Sequence, residues 1–539
     1  MQNFEIVIIV FSILVALLAI TDKLKLPNPV ILVFAGLGIG FIPSLPSIVL
    51  NPEVVFLLFL PPILYDAASH TSWHDFKLEI VPISRLAIAL VFLTTVAVAF
   101  VCYFFIPDFT WPLAFVVGAI VSPPDAAATT TITKGLGLNR RVLTILNGES
   151  LVNDASALIA YRFAIAALGS GVFVFWKAGI SFLLMGAGGI LTGVAIGYLL
   201  IIIHKRILNN SIISTSLTLL TPFISYLTAE HFLTSGVLAV VSTGLMISWR
   251  APEIFSYQTR IRNRSIWDTV IFLLNGFIFI LIGLQLPAVL ADLHQYSLGE
   301  LITYGLLVGG VTIAVRMLWV FGAAYNPISI QGIKKDKQDP ESNTWKNVLI
   351  IAWTGTRGVI SLATALALPL TLSDGSSFPQ RPLILFLAFV VIFMTLVIQA
   401  FSLPLLLKIL RVKPQLDHTD DENDLRLLMA SSVLNFIEQD FPFALKEQVK
   451  SQIKMRYTGL VDLHSRKLEI DVEASENKSE PSTSTVNLEI NKFQRLLLIG
   501  FHKEGLFNYT TIKRLEQELD HEELRLSSLK KKGVRLKKN

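Results

Sequence analysis

The chain has 539 residues, of which 53% are hydrophobic and only 16% are charged, and its mean hydropathy is +0.61. These values lie far outside the range of soluble globular domains, so we interpret the chain as an integral membrane protein. The formal net charge of +5 is modest, and the single cysteine, Cys102, excludes an internal disulfide and a cysteine-based metal cluster.

Apolar runs long enough to cross the hydrocarbon layer, which is roughly 30 Å thick, recur as far as residue 411. The stretch MQNFEIVIIVF has neither a basic start nor a small-residue cleavage site, so we read it as part of a retained first span. The sequence predicts an all-α protein with about thirteen transmembrane helices. By hydropathy they lie near residues 4–21, 28–43, 53–67, 86–105, 112–132, 142–167, 173–203, 211–228, 235–248, 267–287, 300–325, 347–371 and 382–411.

Lysine and arginine are concentrated in alternate connections between these spans. Cytoplasmic loops hold the excess of both residues, so the alternation predicts an N-terminus outside the cell and a C-terminus in the cytoplasm. The other connections hold only Arg381 and, at the start of a span, Lys177. The predicted cytoplasmic residues are Lys23, Lys25, Lys77, Arg85, Lys134, Arg140, Arg141, Lys205, Arg206, Arg250, Arg260, Arg262, Arg264, Lys334, Lys335, Lys337 and Lys346.

The fifth predicted span, VGAIVSPPDAAATTTITKGLG, contains a break. Pro123 and Pro124 each remove a backbone donor and push the preceding residue out of helical geometry. Non-helical backbone at this depth is tolerated where it lines a cavity, and the half-helix ends are ion ligands in transporters. Ser122 lies at the break, Asp125 is placed to cap the restarting half-helix, and Thr129 makes its early turns polar. A plain proline kink is the alternative.

The sixth predicted span contains two carboxylates, in the segment NGESLVNDASALIAYR. A carboxylate at this depth costs on the order of 2.5–3.5 kcal/mol, so such residues indicate function rather than stability. In a helix, Glu149 and Asn153 share one face. Ser150 and Asp154 share the neighbouring face. A carboxylate beside a hydroxyl or carbonyl oxygen suits a hard monovalent cation or a proton, and the other carboxylate needs a permanent partner.

The twelfth predicted span, WTGTRGVISLATALALP, offers that partner. Arg357 lies between Gly355 and Gly358, and it cannot lose its charge there. A buried ion pair of Glu149 and Arg357 would neutralise both groups and join the two spans. The alternative, in which Arg357 lines a wet cavity without a fixed partner, stays open. The glycines also indicate an irregularity that matches the break in the fifth span, as an inverted repeat of spans 1–6 and 8–13 would require.

The composition divides the chain into a transmembrane domain, residues 1–412, and a soluble helical tail, residues 413–539, which we interpret as cytoplasmic and regulatory. Helical patterning covers residues 421–460 and 488–530, on either side of the flexible linker DVEASENKSEPSTST. The basic end KKKGVRLKKN reads as a solvated helix end, with contact to anionic lipid as the alternative.

Four motifs, SPPDAAATTTI, GESLVNDASAL, LIGLQLP and GTRGVISLATAL, resemble those of the bacterial sodium/proton antiporters of the NhaP and NHE kind, within the monovalent cation:proton antiporter superfamily. The resemblance covers the whole membrane part and is only generic in the tail. It implies a homodimeric, multi-pass exchanger of the bacterial inner membrane that acts on Na+, or on Li+ or K+, and on H+. It implies neither a cofactor nor a nucleic-acid partner.

The resemblance also implies roles for individual residues. It places the shared site of Na+ and H+ at Asp154, with Asn153 as the neutral neighbour and Ser150 as a contributor. Asp66, in LPPILYDAASH, corresponds to a further acidic group of the third span, and Ser122 takes the ligand position at the break. The resemblance further assigns the pairing of Glu149 with Arg357.

The chain departs from the family pattern at the break, where many relatives have Thr-Asp-Pro. Here Ser122, Pro123 and Pro124 precede Asp125, so the role of Asp125 stays open. Relatives with a second Asp in place of Asn153 are linked with electrogenic exchange, and those with Asn with one-for-one electroneutral exchange. A neutral neighbour leaves one titrating group, which can hold one cation or one proton.

The expected mechanism is competition of Na+ and H+ at Asp154 with alternating access, because an empty charged site is too costly to carry across the membrane. The alternatives are a cation channel and a transporter of another small solute, such as an organic anion held by Arg357 or Arg316. The sequence has no nucleophile–base pair, zinc motif or phosphate loop, so we do not expect an enzyme. We read His204 and His231 as surface residues.

Overall fold

The computed structural model describes residues 12–17, 19, 28–42, 52–125, 140–170, 175–206, 210–325, 345–372, 375–410, 417–442, 447–466 and 484–536. Within these ranges the regular structure is helical, and the one extended pairing is an isolated bridge between Thr371 and Ser377. The all-α fold class predicted from hydropathy is therefore confirmed.

The helices are numbered in chain order from residue 28. The first fourteen are α1 (Asn28–Gly40), α2 (Pro52–Ser69), α3 (Trp73–Leu78), α4 (Ile80–Phe105, with a π-helical section Arg85–Leu90), α5 (Trp111–Val121), α6 (Arg140–Ser170), α7 (Phe175–Arg206), α8 (Ser211–His231), α9 (Gly236–Ile254), α10 (Tyr257–Ala291), α11 (Leu298–Tyr325), α12 (Trp345–Trp353), α13 (Val359–Leu366) and α14 (Arg381–Leu410). The tail contains α15 (Asp417–Asn435), α16 (Glu447–Arg466), α17 (Ser484–Glu504) and α18 (Tyr509–Leu536).

Seven of the described helices are long and apolar enough to cross a membrane, namely α4, α6, α7, α8, α10, α11 and α14. Three shorter apolar helices, α1, α2 and α5, accompany them. The protein is thus a multi-pass membrane protein. The total of about thirteen crossings and the sidedness of the termini stay predictions.

Close approach of α4 and α5 places the end of α5 in the core. A Cβ atom at Gly118 would overlap the backbone of Thr95 on α4, so glycine is required for this contact. The three residues that follow Gly118 on α5 are almost completely buried. The polar residues after α5 therefore lie among packed helices.

The contacts of the chain define two compact units. The first comprises Met1–Ile202, Ser216–Trp249 and Ile266–Pro414, and the second comprises Ile203–Thr215, Arg250–Ser265 and Gln415–Asn539. The second unit therefore combines the tail with the C-terminal ends of α7 and α9 and the N-terminal ends of α8 and α10. Hydropathy divides the chain at residue 412 and carries no signal for this combination.

An ion-pair cluster lies inside the second unit. Asp520 of α18 is 4% exposed and accepts hydrogen bonds from Arg260, with Nε to Oδ2 at 3.0 Å, and from Arg495, with Nη1 to Oδ1 at 2.8 Å. Arg495 also binds Glu523 at 2.7 Å. Because Asp520 is buried, these charges need one another, and they hold the start of α10 against α18.

The two predicted helical regions of the tail each contain two helices, α15 with α16 and α17 with α18. Outside the tail, His231 is exposed, as predicted. The surface position predicted for His204 is wrong. Its side chain is 3% exposed, its Nδ1 lies 2.9 Å from Ser214 Oγ, and its ring packs edge-on against Phe255. Ser214 lies on α8 and Phe255 directly follows α9, so neither partner belongs to the helix that contains His204, and a loop position read from the sequence did not reveal the burial.

Candidate functional site

The first component of the site is the break after α5. The helix ends at Val121, and residues 122–125 are non-helical because Pro123 and Pro124 cannot donate hydrogen bonds to continue it. The Ser122 side chain is 1% exposed, and its Oγ donates to Ala119 O at 3.1 Å. The predicted end of the helix is confirmed. Thr129 and the predicted restarting half-helix lie outside the described residues.

The second component is the break between α12 and α13, where residues 354–358 are non-helical. Thr354, Thr356 and Arg357 are each at most 2% exposed. The irregularity that the glycines of the twelfth predicted span indicated is therefore present. Both breaks expose main-chain polar groups inside the protein, and each group needs a partner there.

The two breaks contact each other directly. Asp125 N donates to Thr356 O at 2.6 Å, and Thr356 Oγ1 donates to Asp125 O at 3.0 Å. A Cβ atom at Gly358 would overlap the carboxylate of Asp125, so the absence of a side chain there permits the contact. The non-helical segments thus satisfy part of each other's hydrogen bonding where they cross.

The third component is the middle of α6, which places two polar side chains beside the first break. Asn153 is 0% exposed and donates from Nδ2 to Pro124 O at 2.7 Å, while Asp154 is 2% exposed. Asn153 Oδ1 and Asp154 Oδ2 are buried and have no hydrogen-bond partner within the described residues. Ser150 is half-buried one turn earlier on the same helix. Two unsatisfied buried oxygens are suited to a hard cation or, at the carboxylate, a proton.

Glu149 pairs with Arg316 of α11, so the predicted pair of Glu149 and Arg357 is wrong. Arg316 Nη1 lies 2.5 Å from Glu149 Oε1 and Nη2 lies 2.9 Å from Oε2, and both side chains are 2% exposed. Arg316 Nη2 also donates to Ile351 O at 3.0 Å and to Thr354 O at 2.9 Å. The planar guanidinium can serve the carboxylate and the end of α12 together because it presents several donors in fixed directions.

Arg357 has main-chain partners instead. Its side chain is 1% exposed, Nε donates to Val121 O at 3.0 Å, and Nη1 donates to Gly355 O. Val121 is the last residue of α5, where carbonyl groups lack intrahelical donors and the helix dipole is negative. Arg357 therefore caps α5 at the first break, which differs from both roles considered in the sequence analysis.

Asp66 lies near the C-terminal end of α2, and its carboxylate is 3.4 Å from His70 Nδ1 with 20% of its side chain exposed. Helix α2 packs against α6 and α13. Among the residues that the structure describes, no hydrogen bond joins Asp66 to Asp154 or Asn153. Its role as an ion ligand stays a prediction.

Two residues that the sequence analysis did not single out contact the second break from α14. Thr395 Oγ1 accepts from Arg357 N, and Gln399 Oε1 accepts from Gly355 N, both at 3.1 Å. Both side chains are buried. The signal available in the sequence was their spacing, since two polar residues four apart on a strongly apolar helix share one face.

The sequence matches the family described as "Sodium/hydrogen exchanger, transmembrane" over residues 9–409. It is 35% identical over 393 residues to a Bacillus pumilus protein named "Sodium, potassium, lithium and rubidium/H(+) antiporter", covering 71% of this chain and 58% of that relative's length. It is 28% identical over 538 residues to the uncharacterized Na(+)/H(+) exchanger YjcE of Escherichia coli, covering 95% of each chain. The fold is similar to that of the sodium proton antiporter MjNhaP1 from Methanocaldococcus jannaschii, with a TM-score of 0.58 and 20% identity over 75% of this chain and 98% of that one.

Proposed function

The chain belongs to the sodium/hydrogen exchanger family, whose members are secondary transporters rather than enzymes, and on that premise we propose that it exchanges a monovalent cation for H+ across the bacterial inner membrane. Na+ is the first candidate, and Li+ and K+ are alternatives because oxygen ligands accept all three. In this proposal the protein is a homodimer with its N-terminus outside and its tail in the cytoplasm.

The observation that carries the proposal is the pair of unsatisfied oxygens, Asp154 Oδ2 and Asn153 Oδ1, beside the break after α5. A buried carboxylate without a partner is costly, so the site is stable when Asp154 holds either a cation or a proton. Competition for this one carboxylate couples the two fluxes, because the empty charged site is too costly to move.

The charge states of Glu149 and Asn153 support one-for-one exchange in this proposal. Glu149 is neutralised by Arg316, and Asn153 carries no charge. One carboxylate is balanced by one monovalent cation or by one proton, so a full cycle moves no net charge. Ser150, Ser122 and Asp66 are the further ligands in this proposal, and the role of Asp125 is open.

Alternating access requires that the site move as a block against its surroundings. The hydrogen bonds of Asn153 to Pro124 and of Asp125 to Thr356 join α6 to both breaks. These contacts support a rigid unit that contains the ion site.

The test is transport by the purified protein in proteoliposomes, with each cation added in turn and proton movement read by a pH dye. We expect cation-driven proton movement that Asp154→Asn abolishes, since an amide cannot exchange a proton. Asp292→Asn, at an exposed position beyond α10, is the control and should transport normally. Cation flux without proton countermovement would indicate a channel, and residual exchange in Asp154→Asn would move the ion site to Asp66 or Asp125.

A further inference from the structure

Among the described residues, no hydrogen bond joins Thr395 or Gln399 of α14 to Asp154 or Asn153. The two side chains instead hold the second break, which contacts the first break beside the ion site. We propose that they are positioning residues, which fix the non-helical segment 354–358 in the conformation that gives Asp154 its affinity for the cation. This inference rests on the proposed function.

The main-chain donors of the second break bind side chains of α14. A helical N–H binds the carbonyl four residues earlier, but the unwound segment cannot supply that geometry for Gly355 and Arg357. Their N–H groups donate to Gln399 Oε1 and Thr395 Oγ1, each at 3.1 Å. Thr395 is 0% exposed and Gln399 is 3% exposed, so no water replaces either acceptor without opening the packing.

The main-chain acceptors of the same segment also have partners. Thr354 O accepts from Arg316 at 2.9 Å, and Gly355 O accepts from Arg357. Thr356 O accepts from Asp125 N at 2.6 Å. The segment is thus held by α14 through its donors and by α11 and the first break through its acceptors. A shift of the donors must therefore displace the acceptors.

The second break is connected to the ion site through the first break. Thr356 bonds to Asp125, Asp125 follows Pro124, and Pro124 O accepts from Asn153 Nδ2 at 2.7 Å. Asn153 is the immediate neighbour of Asp154. The path from α14 to the neighbour of the cation ligand therefore consists of short hydrogen bonds, each of which has a main-chain group on at least one side. The loss of a hydroxyl or amide on α14 should reach the site as a change in ligand geometry.

Helix α14 also provides a matched control. Ser402 Oγ accepts from Trp353 Nε1 at 2.8 Å, so it too bonds across to α12. That bond goes to the side chain of Trp353, the last helical residue of α12, and involves none of the main-chain donors of the break. Removal of Ser402 Oγ tests the loss of one polar contact between α14 and α12 while Gln399 and Thr395, the acceptors of the break, are kept.

The experiment compares Thr395→Val, which keeps the shape and removes the acceptor, with Gln399→Met, Thr395→Ser and Ser402→Ala. Na+ binding is measured as the rise in melting temperature with Na+ in detergent, and KM and kcat for Na+ are measured in proteoliposomes. We expect Thr395→Val and Gln399→Met each to weaken Na+ binding and raise KM about threefold to tenfold, with kcat little changed. Thr395→Ser should restore the wild-type values, and Ser402→Ala should not change KM.

Two outcomes would overturn the inference alone. In the first, Thr395→Val and Gln399→Met lower the melting temperature measured in the absence of Na+ but leave Na+ binding and KM unchanged. The two residues would then be merely structural. The second is a KM change of equal size in Ser402→Ala. A wild-type protein whose melting temperature responds to no monovalent cation and which does not transport would instead overturn the proposed function, and the inference with it.

Discussion

Arg316 binds Glu149 through both terminal nitrogens, and the same guanidinium donates to two carbonyl groups at the end of α12. The pair is almost completely buried, so each charge depends on the other. One side chain of α11 therefore joins the helix that carries Asp154 to the helix that enters the second break.

The first prediction concerns the stability of this pair. Arg316→Ala and Glu149→Ala should each destabilise the fold by about 3–5 kcal/mol, because removal of one partner leaves the other charge buried and unpaired. The double variant Glu149→Leu with Arg316→Met should recover part of the loss. Melting temperatures in detergent provide the measurement.

Arg357→Ala is the matched comparison, since it removes a buried arginine that binds main-chain carbonyls. Combining it with Glu149→Leu should give no recovery. If stability recovered in the double variant at Glu149 and Arg357 but not in the one at Glu149 and Arg316, Glu149 would pair with Arg357 in solution.

The second prediction concerns charge movement and pH. If one monovalent cation exchanges for one proton at Asp154, clamping the liposome potential with potassium and valinomycin should leave the rate of Na+/H+ exchange unchanged. The apparent affinity for Na+ should fall as the pH falls, by about tenfold per pH unit once protons occupy most of the sites. A rate that follows the imposed potential, or a Na+ affinity independent of pH, would refute competition for one carboxylate.

The third prediction concerns the crossing of the two breaks. Gly358→Ala places a methyl group against the Asp125 carboxylate, and we expect it to destabilise the fold by about 1–3 kcal/mol and to lower exchange strongly. Gly310→Ala of α11 is the control, because a Cβ atom there meets no heavy atom within 4 Å. Equal melting temperatures and transport rates in both variants would show that the crossing tolerates expansion.

The fourth prediction concerns the pH dependence of the tail. Glu516 of α18 is 4% exposed and lies 3.0 Å from Lys513 Nζ. Burial by itself raises the pKa of Glu516, but the charges of Lys513 and Arg260 outweigh it and hold the pKa below its ordinary value of 4.5. A carboxyl group whose pKa is lowered in the folded state stabilises the fold at pH values above its ordinary pKa. This stabilisation is lost as the pH falls through the lowered pKa.

Glu516→Gln should therefore increase the hydrogen exchange of α18 at neutral pH and have a smaller effect at pH values below 4.5. Glu504→Gln, outside this contact, is the comparison and should not alter the exchange of α18. An effect of Glu516→Gln that grows as the pH falls would have the opposite sign and would contradict the assignment.

The sequence by itself determined the fold class, the break after α5 and the cluster on α6. These features follow from local physics, since prolines remove backbone donors wherever they occur and a carboxylate is costly at any depth inside an apolar helix. The periodicity of a helix also sufficed to place Asn153 and Asp154 on adjacent faces.

Only the tertiary structure decided which partners these groups have. Both Arg316 and Arg357 lie in apolar spans, and hydropathy cannot tell which of them reaches Glu149, because the answer depends on how α11 and the second break are placed relative to α6. The same holds for Thr395 and Gln399, whose roles become visible only where α14 meets the unwound backbone. Hydrogen bonds act over about 3 Å, so contacts between residues far apart in the chain are set by the packing of helices, and local sequence carries little information about it.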